Sequence, residues 1–390
     1  MNNTDNEELR EDYVIDVAAE RVYGGQDASY HEAFTKWRNN KNNRYGYRFV
    51  HDTREHTYVD GGGYSERRSE NEERSSLRRC FSFLGMSMFI MFLLAQMQYM
   101  LMSMLFDTKA IEWTLISDRG EAPVVTMQQI LVNAGFKLFS LVIVLLLYVF
   151  FIHLPTKVTF PTSKVSPKFF VYSFNAALIM SVVLHLLDKV ITVTSIDLGI
   201  EVTFYTLPVT ESSSSFIVNV FCNMIAIPVM MEMIFRGCIL QLFRQFGDRF
   251  AILVSSFAAA CCYHDLTKFM YVFCWSVILS IITIKSTSII PAMLISVTNT
   301  AFTLTMNTCF TEERPMFTDL METVICLGIL VVCLTTVFIM RIRMPRPFRV
   351  DSDNTALTVA QKSREIINSP WAVIWLTAVL FTMILPVSFK

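Results

Sequence analysis

Nine apolar runs constrain this chain more than any other feature of its sequence. They lie at roughly 81–106, 130–152, 169–192, 216–243, 250–264, 269–284, 288–307, 322–340 and 370–388. A helix needs ~20 mostly apolar residues to cross a bilayer, and only the fifth and sixth runs are clearly shorter. Since four residues, 265–268, join those two runs, they predict a tight hairpin or helices that reach part of the way across. The pattern as a whole predicts an all-α polytopic membrane protein with about nine transmembrane helices.

Composition supports this fold class and excludes others. The chain is 53% hydrophobic and 17% charged, which is less charge than a soluble protein of 390 residues carries. The formal net charge of −1 offers no basic excess that would favour nucleic acid as a partner. The apolar composition makes the lipid bilayer the expected surroundings. The nine cysteines include no C-x-x-C pair and lie mostly in apolar runs. We interpret them as small packing residues rather than as metal ligands or a disulfide framework.

Lysine and arginine are distributed unequally among the segments that connect the apolar runs. Every second connection is rich in them, and the connections in between carry few. Positively charged connections stay on the cytoplasmic side of a membrane, so the alternation predicts a cytoplasmic N-terminus and a C-terminus outside. The basic connections hold Arg67, Arg68, Arg74, Arg78, Arg79, Lys157, Lys164, Lys168, Arg244, Arg249, Lys285, Arg341, Arg343, Arg346 and Arg349.

Changes in composition divide the chain into four parts. Residues 1–80 are rich in Asn, Arg, Glu and Asp with few apolar clusters, which predicts a polar and largely disordered cytoplasmic tail. Residues 81–168 hold the first two predicted transmembrane helices and the cytoplasmic loop after them. Residues 169–310 form the predicted membrane core, and residues 311–390 add the C-terminal transmembrane helices.

The fourth apolar run contains a glutamate and an arginine. Glu232 and Arg236 are four residues apart and therefore lie on the same helix face. Charged side chains at membrane depth are costly, and by default they indicate a functional site. With 1.5 Å of rise per residue from the predicted cytoplasmic ends, Glu232, His264, Ser296 and Asn299 lie ~17–22 Å deep on three helices. A carboxylate, an imidazole, a hydroxyl and an amide at one level can hold a water molecule between them.

Ordinary structural roles explain the same residues. The pair of Glu232 and Arg236 can neutralise itself or fasten neighbouring helices. An interior histidine such as His264 is more often a hydrogen-bonded core residue than a base or ligand, and Ser and Asn commonly link helices within membranes. The sequence by itself leaves the functional and the structural interpretation open.

A second, weaker candidate lies in the third run, where Asp188 and Lys189 follow His185 near the predicted outer end of the helix. Its structural interpretation is the favoured one. Other chemistries have less support, because the chain contains no H-E-x-x-H, no G-x-S-x-G and no Walker loop. The predicted membrane core also brings together too few His, Cys and carboxylate side chains for a zinc site. No cofactor or metal is expected.

Three motifs in residues 170–307 together resemble the CPBP family of intramembrane proteases, which comprises CAAX proteases and bacteriocin-processing (Abi-type) proteins. The family's first motif is E-E-x-x-x-R, commonly followed by Gly, and here it is MEMIFRG at 231–237 after a proline. The second motif, F-x-x-x-H after a pair of serines, is similar to SSFAAACCYH at 255–264. The third, H-x-x-x-N or D a few residues after a proline, corresponds to PAMLISVTNT at 291–300. The resemblance implies a CPBP-like helical core.

The departures from these motifs bear on activity. The resemblance implies that the first glutamate and the second-motif histidine activate a water, while the third-motif residues stabilise an oxyanion. Here Met231 stands at the first glutamate position, Ser296 at the third-motif histidine, and Thr300 at the following Asn or Asp. Of these four positions only His264 keeps the family residue, and Asn299 lies one place early.

The motifs lead to one hypothesis with two alternatives. The leading hypothesis is a degenerate protease that acts by binding or scaffolding in the membrane, with a hydrophobic or prenylated peptide or another membrane protein as partner. Arg236 and Ser296 would then be structural. The first alternative is an active, divergent intramembrane endopeptidase with Glu232, His264 and Asn299 as catalytic residues. A transporter or channel is the second alternative, although no internal repeat is visible. Whether the chain is an enzyme stays open at this stage.

Overall fold

The fold comes from a computed structural model that describes most of the helical part of the chain. It describes residues 28–40, 42–47, 68–106, 125–197, 210–309, 316–343, 347–350 and 355–384, and four two-residue strands in the N-terminal region. The strands form two antiparallel pairs, Tyr13–Val14 (β1) with Val50–His51 (β2), and Tyr58–Val59 (β3) with Gly63–Tyr64 (β4).

Helices make up nearly all of the described structure, and each of the nine apolar runs falls on helix. In chain order the helices are α1 (Ala28–Asn39), α2 (Arg68–Phe106), α3 (Met127–Leu147), α4 (Thr156–Thr159), α5 (Pro167–Asp197), α6 (Ser213–Val220), α7 (Ile227–Glu232), α8 (Leu240–Phe243), α9 (Asp248–Cys261), α10 (Leu266–Ser286), α11 (Ile290–Cys309), α12 (Met316–Arg343), α13 (Val359–Arg364) and α14 (Pro370–Ile384). The predicted all-α polytopic membrane fold is confirmed.

Six of the described helical stretches are long and apolar enough to cross a bilayer. They are Glu70–Met102, Met127–Ile152, Pro167–Ile191, Ser213–Phe246, Lys268–Ser286 and Leu320–Ile342. The chain is therefore an integral multi-pass membrane protein, while nine spans and the side of each terminus remain predictions.

The fifth and sixth apolar runs, both predicted to be short, have different lengths in the structure. Helix α9 has 14 residues, which at 1.5 Å each is about 21 Å, too short for the ~30 Å hydrocarbon layer. Helix α10 has 21 residues and reaches spanning length. The two helices pack side by side through a turn at residues 262–265, as the hairpin prediction required.

The centre of the fold is one continuous helix from Ser213 to Phe246, which we call the 213–246 helix. It is composed of α6, α7 and α8, with π-helical turns at Phe221–Ala226 and Met233–Ile239. A π-helical turn inserts an extra residue and redirects side chains, and such turns are frequent at functional sites. From residue 234 onward the helix is buried at every position, because α3, α9, α10 and the α4 segment surround it.

The predicted disordered tail is wrong for residues 28–40 and 42–47, which are ordered in the structure. Helix α1 presents Tyr30, Phe34 and Trp37 along one face, and all three are buried with stacked rings. The Trp37 indole donates to the backbone oxygen of Ile152 at 3.0 Å. Composition failed as a predictor here because the polar average of the region hides a stripe of aromatic residues at helical spacing.

Helix α1 also reaches the end of the 213–246 helix. The Tyr30 hydroxyl donates to Gln241 Oε1 at 2.6 Å and accepts from Arg244 Nη1 at 2.7 Å. Arg244 Nε in turn donates to Asp248 Oδ1 at 2.8 Å. Burial raises the pKa of the Tyr30 phenol, so the hydroxyl keeps its proton for the bond to Gln241. Residues far apart in the chain thus supply hydrogen-bond partners for the buried polar side chains at this end of the 213–246 helix.

The C-terminal segment packs on the same end of the molecule. Lys362, on α13, donates to the Phe246 backbone oxygen and lies 3.5 Å from Glu73. Glu365 accepts from Arg74 at 2.9 Å and from Arg78 at 2.6 Å. Helix α14 then runs against α2. Helices α1 and α13, which lie far apart in the chain, therefore both contact the end of the 213–246 helix.

Candidate functional site

A buried ion pair between Glu232 and Arg236 forms the centre of the site. Arg236 Nε lies 3.1 Å from Glu232 Oε2, and both side chains are 4% exposed. Arg236 Nη1 also donates to Glu232 Oε1 at 3.2 Å. The two residues flank the start of the π-helical turn at Met233–Ile239. The predicted pairing on one helix face is present in the structure.

Neighbouring helices hold this pair in a fixed position. Arg236 Nη2 donates to the Ser276 hydroxyl at 2.8 Å and to the Ser276 backbone oxygen at 3.1 Å. From α11, the side chain of Ser296 interacts with the Glu232 carboxylate. The guanidinium is thus tied to α10 while the carboxylate faces α11, and the pair links three helices.

Met231, at the first glutamate position of the family motif, lies in an apolar environment. It precedes Glu232 by one residue, which turns its side chain about 100° around the helix. Met231 is partly buried and packs against the main apolar cluster, to which α9 contributes Ala258 and Cys261. No carboxylate therefore occupies the motif position itself, and the Glu232 carboxylate is committed to Arg236.

His264 lies in the turn that follows α9. Its backbone is left-handed, with φ of 53°, a conformation that histidine adopts more readily than most residues. The ring packs edge-on against Phe92 of α2, with 5.2 Å between centroids, and Nδ1 is buried without a hydrogen-bond partner in the described part of the chain. Among the described residues, no hydrogen bond or ion pair connects His264 to Glu232.

Asn299 fastens three helices through its amide oxygen. That oxygen accepts from the Ser181 hydroxyl of α5 at 2.6 Å and from the Tyr271 hydroxyl of α10 at 3.1 Å. The neighbouring Thr300 hydroxyl donates to the Ser296 backbone oxygen of its own helix at 3.0 Å. Any oxyanion bound here would have to use the Asn299 amide nitrogen, because that nitrogen is the only hydrogen-bond donor of the side chain.

Sequence reasoning missed the hydroxyl partners Ser181, Tyr271 and Ser276. Each lies in an apolar run, and each meets its partner 28 to 118 residues away in the chain. No local spacing relates such residues to their partners. A hydroxyl on a predicted transmembrane helix is the only signal that the sequence carries for them.

The glycine that ends the first motif has a steric role. A Cβ added at Gly237 would lie 2.8 Å from the Thr159 backbone oxygen and 3.1 Å from Phe160 Cε1. The 213–246 helix can approach the α4 segment this closely only without a side chain at that position. The absence of a side chain at Gly237 therefore lets the helix segment that carries Glu232 and Arg236 pack closely against the α4 segment.

The second candidate, around His185, is a separate buried cluster between α5 and α12. His185 Nε2 lies 2.7 Å from Glu322 Oε1, and Lys189 pairs with the other oxygen of the same carboxylate. Asp188 pairs with Lys268 of α10. The cluster joins three helices by charge pairs, as the structural interpretation of these residues expects. Glu322 lies 137 residues beyond His185, and the sequence did not indicate this pairing.

No set of three or more His, Cys, Asp or Glu side chains lies close enough to hold a metal ion within the described ranges. The polar groups available to a ligand at the candidate site are those of Glu232, His264, Ser296 and Asn299. They comprise acceptors and neutral donors, which suit a water molecule or a peptide group.

Comparison with protein families gives one match. Residues 213–302 match the family described as type II CAAX prenyl endopeptidase Rce1-like. The matched segment runs from the start of the 213–246 helix into α11 and contains all four motif positions. Comparisons with curated proteins and with solved structures found no match.

Proposed function

We propose that this chain, of which residues 213–302 match the type II CAAX prenyl endopeptidase Rce1-like family, is a degenerate member that binds a partner within the membrane without hydrolysing it. The partner is a hydrophobic or prenylated peptide or a segment of another membrane protein. The observation that carries this proposal is the commitment of the Glu232 carboxylate to Arg236 instead of to His264.

The chemistry of peptide hydrolysis supports the proposal. A general base must accept a proton from water in the transition state, and a positioned base contributes ~10²–10⁴-fold to the rate. An oxyanion donor contributes ~10²–10³-fold. Met231 supplies no base, and Ser296 and Thr300 replace the family's donors.

A peptide assay separates binding from cleavage. The purified full-length protein in proteoliposomes is incubated with a fluorescent farnesylated peptide and with its unmodified form. We expect saturable binding of the farnesylated peptide and no product by mass spectrometry. The proposal fails if product accumulates and if Glu232→Gln or His264→Ala abolishes it.

A divergent active endopeptidase is the second candidate, and a specific observation favours it. Glu232 Oε2 and His264 Nδ1 are both buried and make no well-aligned hydrogen bond among the described residues, although Oε2 lies 3.1 Å from Arg236 Nε. A water molecule needs two to four polar partners in such a place. In this candidate the carboxylate and the imidazole share the attacking water, and Asn299 donates through its amide nitrogen. Cleavage that disappears in both single variants and in Asn299→Ala would establish it.

A further inference from the structure

A pocket lined by three arginines lies at the junction of α2 and α14 and shares no lining residue with the candidate site. Its cavity of about 350 Å³ is lined by Arg44, Arg78 and Arg79 and by the apolar side chains of Phe83, Met86 and Trp371. We call it the arginine pocket. We propose that it binds an anionic phospholipid, with the phosphate at the arginines and the acyl chains along the apolar side.

The pocket is at the boundary between polar and apolar sequence. Arg78 and Arg79 immediately precede the first apolar run, and Pro370 and Trp371 begin the last one. On α2, Arg79, Phe83 and Met86 follow the i, i+4, i+7 spacing of one helix face. With 1.5 Å of rise per residue, the charged residue Arg79 and the apolar residue Met86 lie about 10 Å apart along the helix axis. Such a gradient matches the headgroup and upper acyl region of a bilayer.

Two of the three arginines of the pocket keep an unpaired charge among the described residues. Glu365 pairs with Arg74 and Arg78. Arg44 and Arg79 are exposed and have no carboxylate partner in the described part of the chain; Arg79 contacts the Ser76 hydroxyl. The described residues that line the cavity include no acidic side chain. Basic pockets between transmembrane helices are a recurring way to bind lipid phosphates.

Close packing and a hydrogen bond hold the backbone next to the pocket. A Cβ at Gly85 would lie 2.3 Å from the Ala372 backbone nitrogen, so α2 and α14 touch through their backbones beside Trp371. The backbone oxygen of Tyr45 accepts from Gln245 Nε2 at 2.9 Å, and the Tyr45 ring packs edge-on against Phe83. The backbone that carries the arginines is therefore held by contacts within the protein, which lowers the part of the ordering cost of binding that falls on the backbone.

The apolar side continues into the lipid-facing surface. Trp371 is 44% exposed, and the Phe89 ring lies 6.4 Å from it, one turn beyond Met86. Tryptophan is typical of the membrane–water interface, where its polar edge meets headgroups and its ring meets acyl chains. The sequence predicts that this end of the helices faces the cytoplasm, the side of a membrane that carries anionic lipids.

The test measures lipid retention by the purified full-length protein with native mass spectrometry. Phosphatidylserine and phosphatidylcholine with identical acyl chains are titrated separately, and inorganic phosphate is added in a third arm. The double variant Arg44→Gln/Arg79→Gln removes the two arginines that lack carboxylate partners. Lys164→Gln/Arg341→Gln is the matched control, since it removes two exposed charges elsewhere.

We expect phosphatidylserine to be retained over phosphatidylcholine and the control to bind as the unmodified protein does. Each arginine at an anionic surface contributes roughly fivefold, so the double variant should bind about 30-fold more weakly. Equal retention of the two lipids, an unchanged double variant, or full displacement by millimolar phosphate, which would indicate an adventitious ion only, would each overturn the proposal.

Photocrosslinking tests the location without any variant. A phosphatidylserine with a photoreactive acyl chain is activated on the unmodified protein, and the labelled peptides are identified by mass spectrometry. Labels should lie on residues 83–89 and 370–374. Labels confined to other helices would refute the assignment of the pocket.

Discussion

Removing Arg236 tests whether the central ion pair is a structural device. In Arg236→Met the Glu232 carboxylate stays buried without its cation, and Ser276 loses two hydrogen bonds. Breaking one side of a buried pair costs ~3–5 kcal/mol, because the remaining charge keeps its full desolvation penalty. We expect the free energy of unfolding to fall by about that amount.

Glu232→Gln should also destabilise, because it leaves the Arg236 guanidinium buried without a counter-charge. The glutamine keeps an oxygen that can accept from Arg236 Nη1, and the guanidinium still donates to Ser276, so part of the hydrogen bonding remains. The double variant Glu232→Leu/Arg236→Met buries no charge, and replacing a buried ion pair by apolar residues is often neutral. We therefore expect the double variant to be more stable than Arg236→Met alone, by roughly 2–4 kcal/mol.

The assay is SDS-induced unfolding in mixed micelles, followed by tryptophan fluorescence of the purified full-length protein. With Glu232→Leu and Arg236→Met as the single variants, the difference between the double variant and their sum gives the coupling free energy of the pair. Two results would refute the reasoning: a double variant as unstable as the sum of its parts, or an Arg236→Met protein as stable as the unmodified one.

Three further outcomes follow from the packing. Gly85→Ala should destabilise by at least ~1–3 kcal/mol, because its Cβ would overlap the Ala372 backbone, while Gly135→Ala, with nothing within 4 Å, should be neutral or stabilising in thermal unfolding. Tyr30→Phe leaves two buried polar groups without their hydroxyl partner and should cost ~1–3 kcal/mol by the same measurement. Burial raises the pKa of Glu365, but hydrogen bonds from two arginines and an asparagine outweigh it and hold that pKa below its usual value. Its stabilisation is therefore present above the unfolded pKa of about 4.3 and is lost as pH falls through the folded pKa, so Glu365→Gln should flatten the acid limb of a stability–pH curve.

The sequence predicts the membrane part of this fold well, because the bilayer imposes simple rules. An apolar run must form a helix there to satisfy its own backbone, and each of the nine runs does. The same cost argument directs attention to Glu232 and Arg236, since a charge in such a run needs a partner, and the partner lies one turn away. Local spacing is enough to find both.

Contacts between distant segments are what the sequence does not reveal. The pairing of His185 with Glu322 spans 137 residues, and nothing near either residue points to the other. Helix α1 was missed for a different reason. Tyr30, Phe34 and Trp37 carry a helical stripe, but it is short and is surrounded by polar residues that dominate any average over 1–80. The shift from α to π geometry at Met233–Ile239 likewise has no residue pattern of its own.

The contacts that the N-terminal and C-terminal segments make with the end of the 213–246 helix become possible at different times during synthesis. Tyr30 is made before its partner Arg244, but Lys362, which caps the Phe246 backbone oxygen, follows 116 residues later. A ribosome adding ~5–20 residues per second needs on the order of ten seconds for that interval. Until Lys362 has been made, its contact with the Phe246 backbone oxygen cannot form. The speed of translation over residues 247–362 therefore sets the shortest time for which this end of the helix lacks that contact.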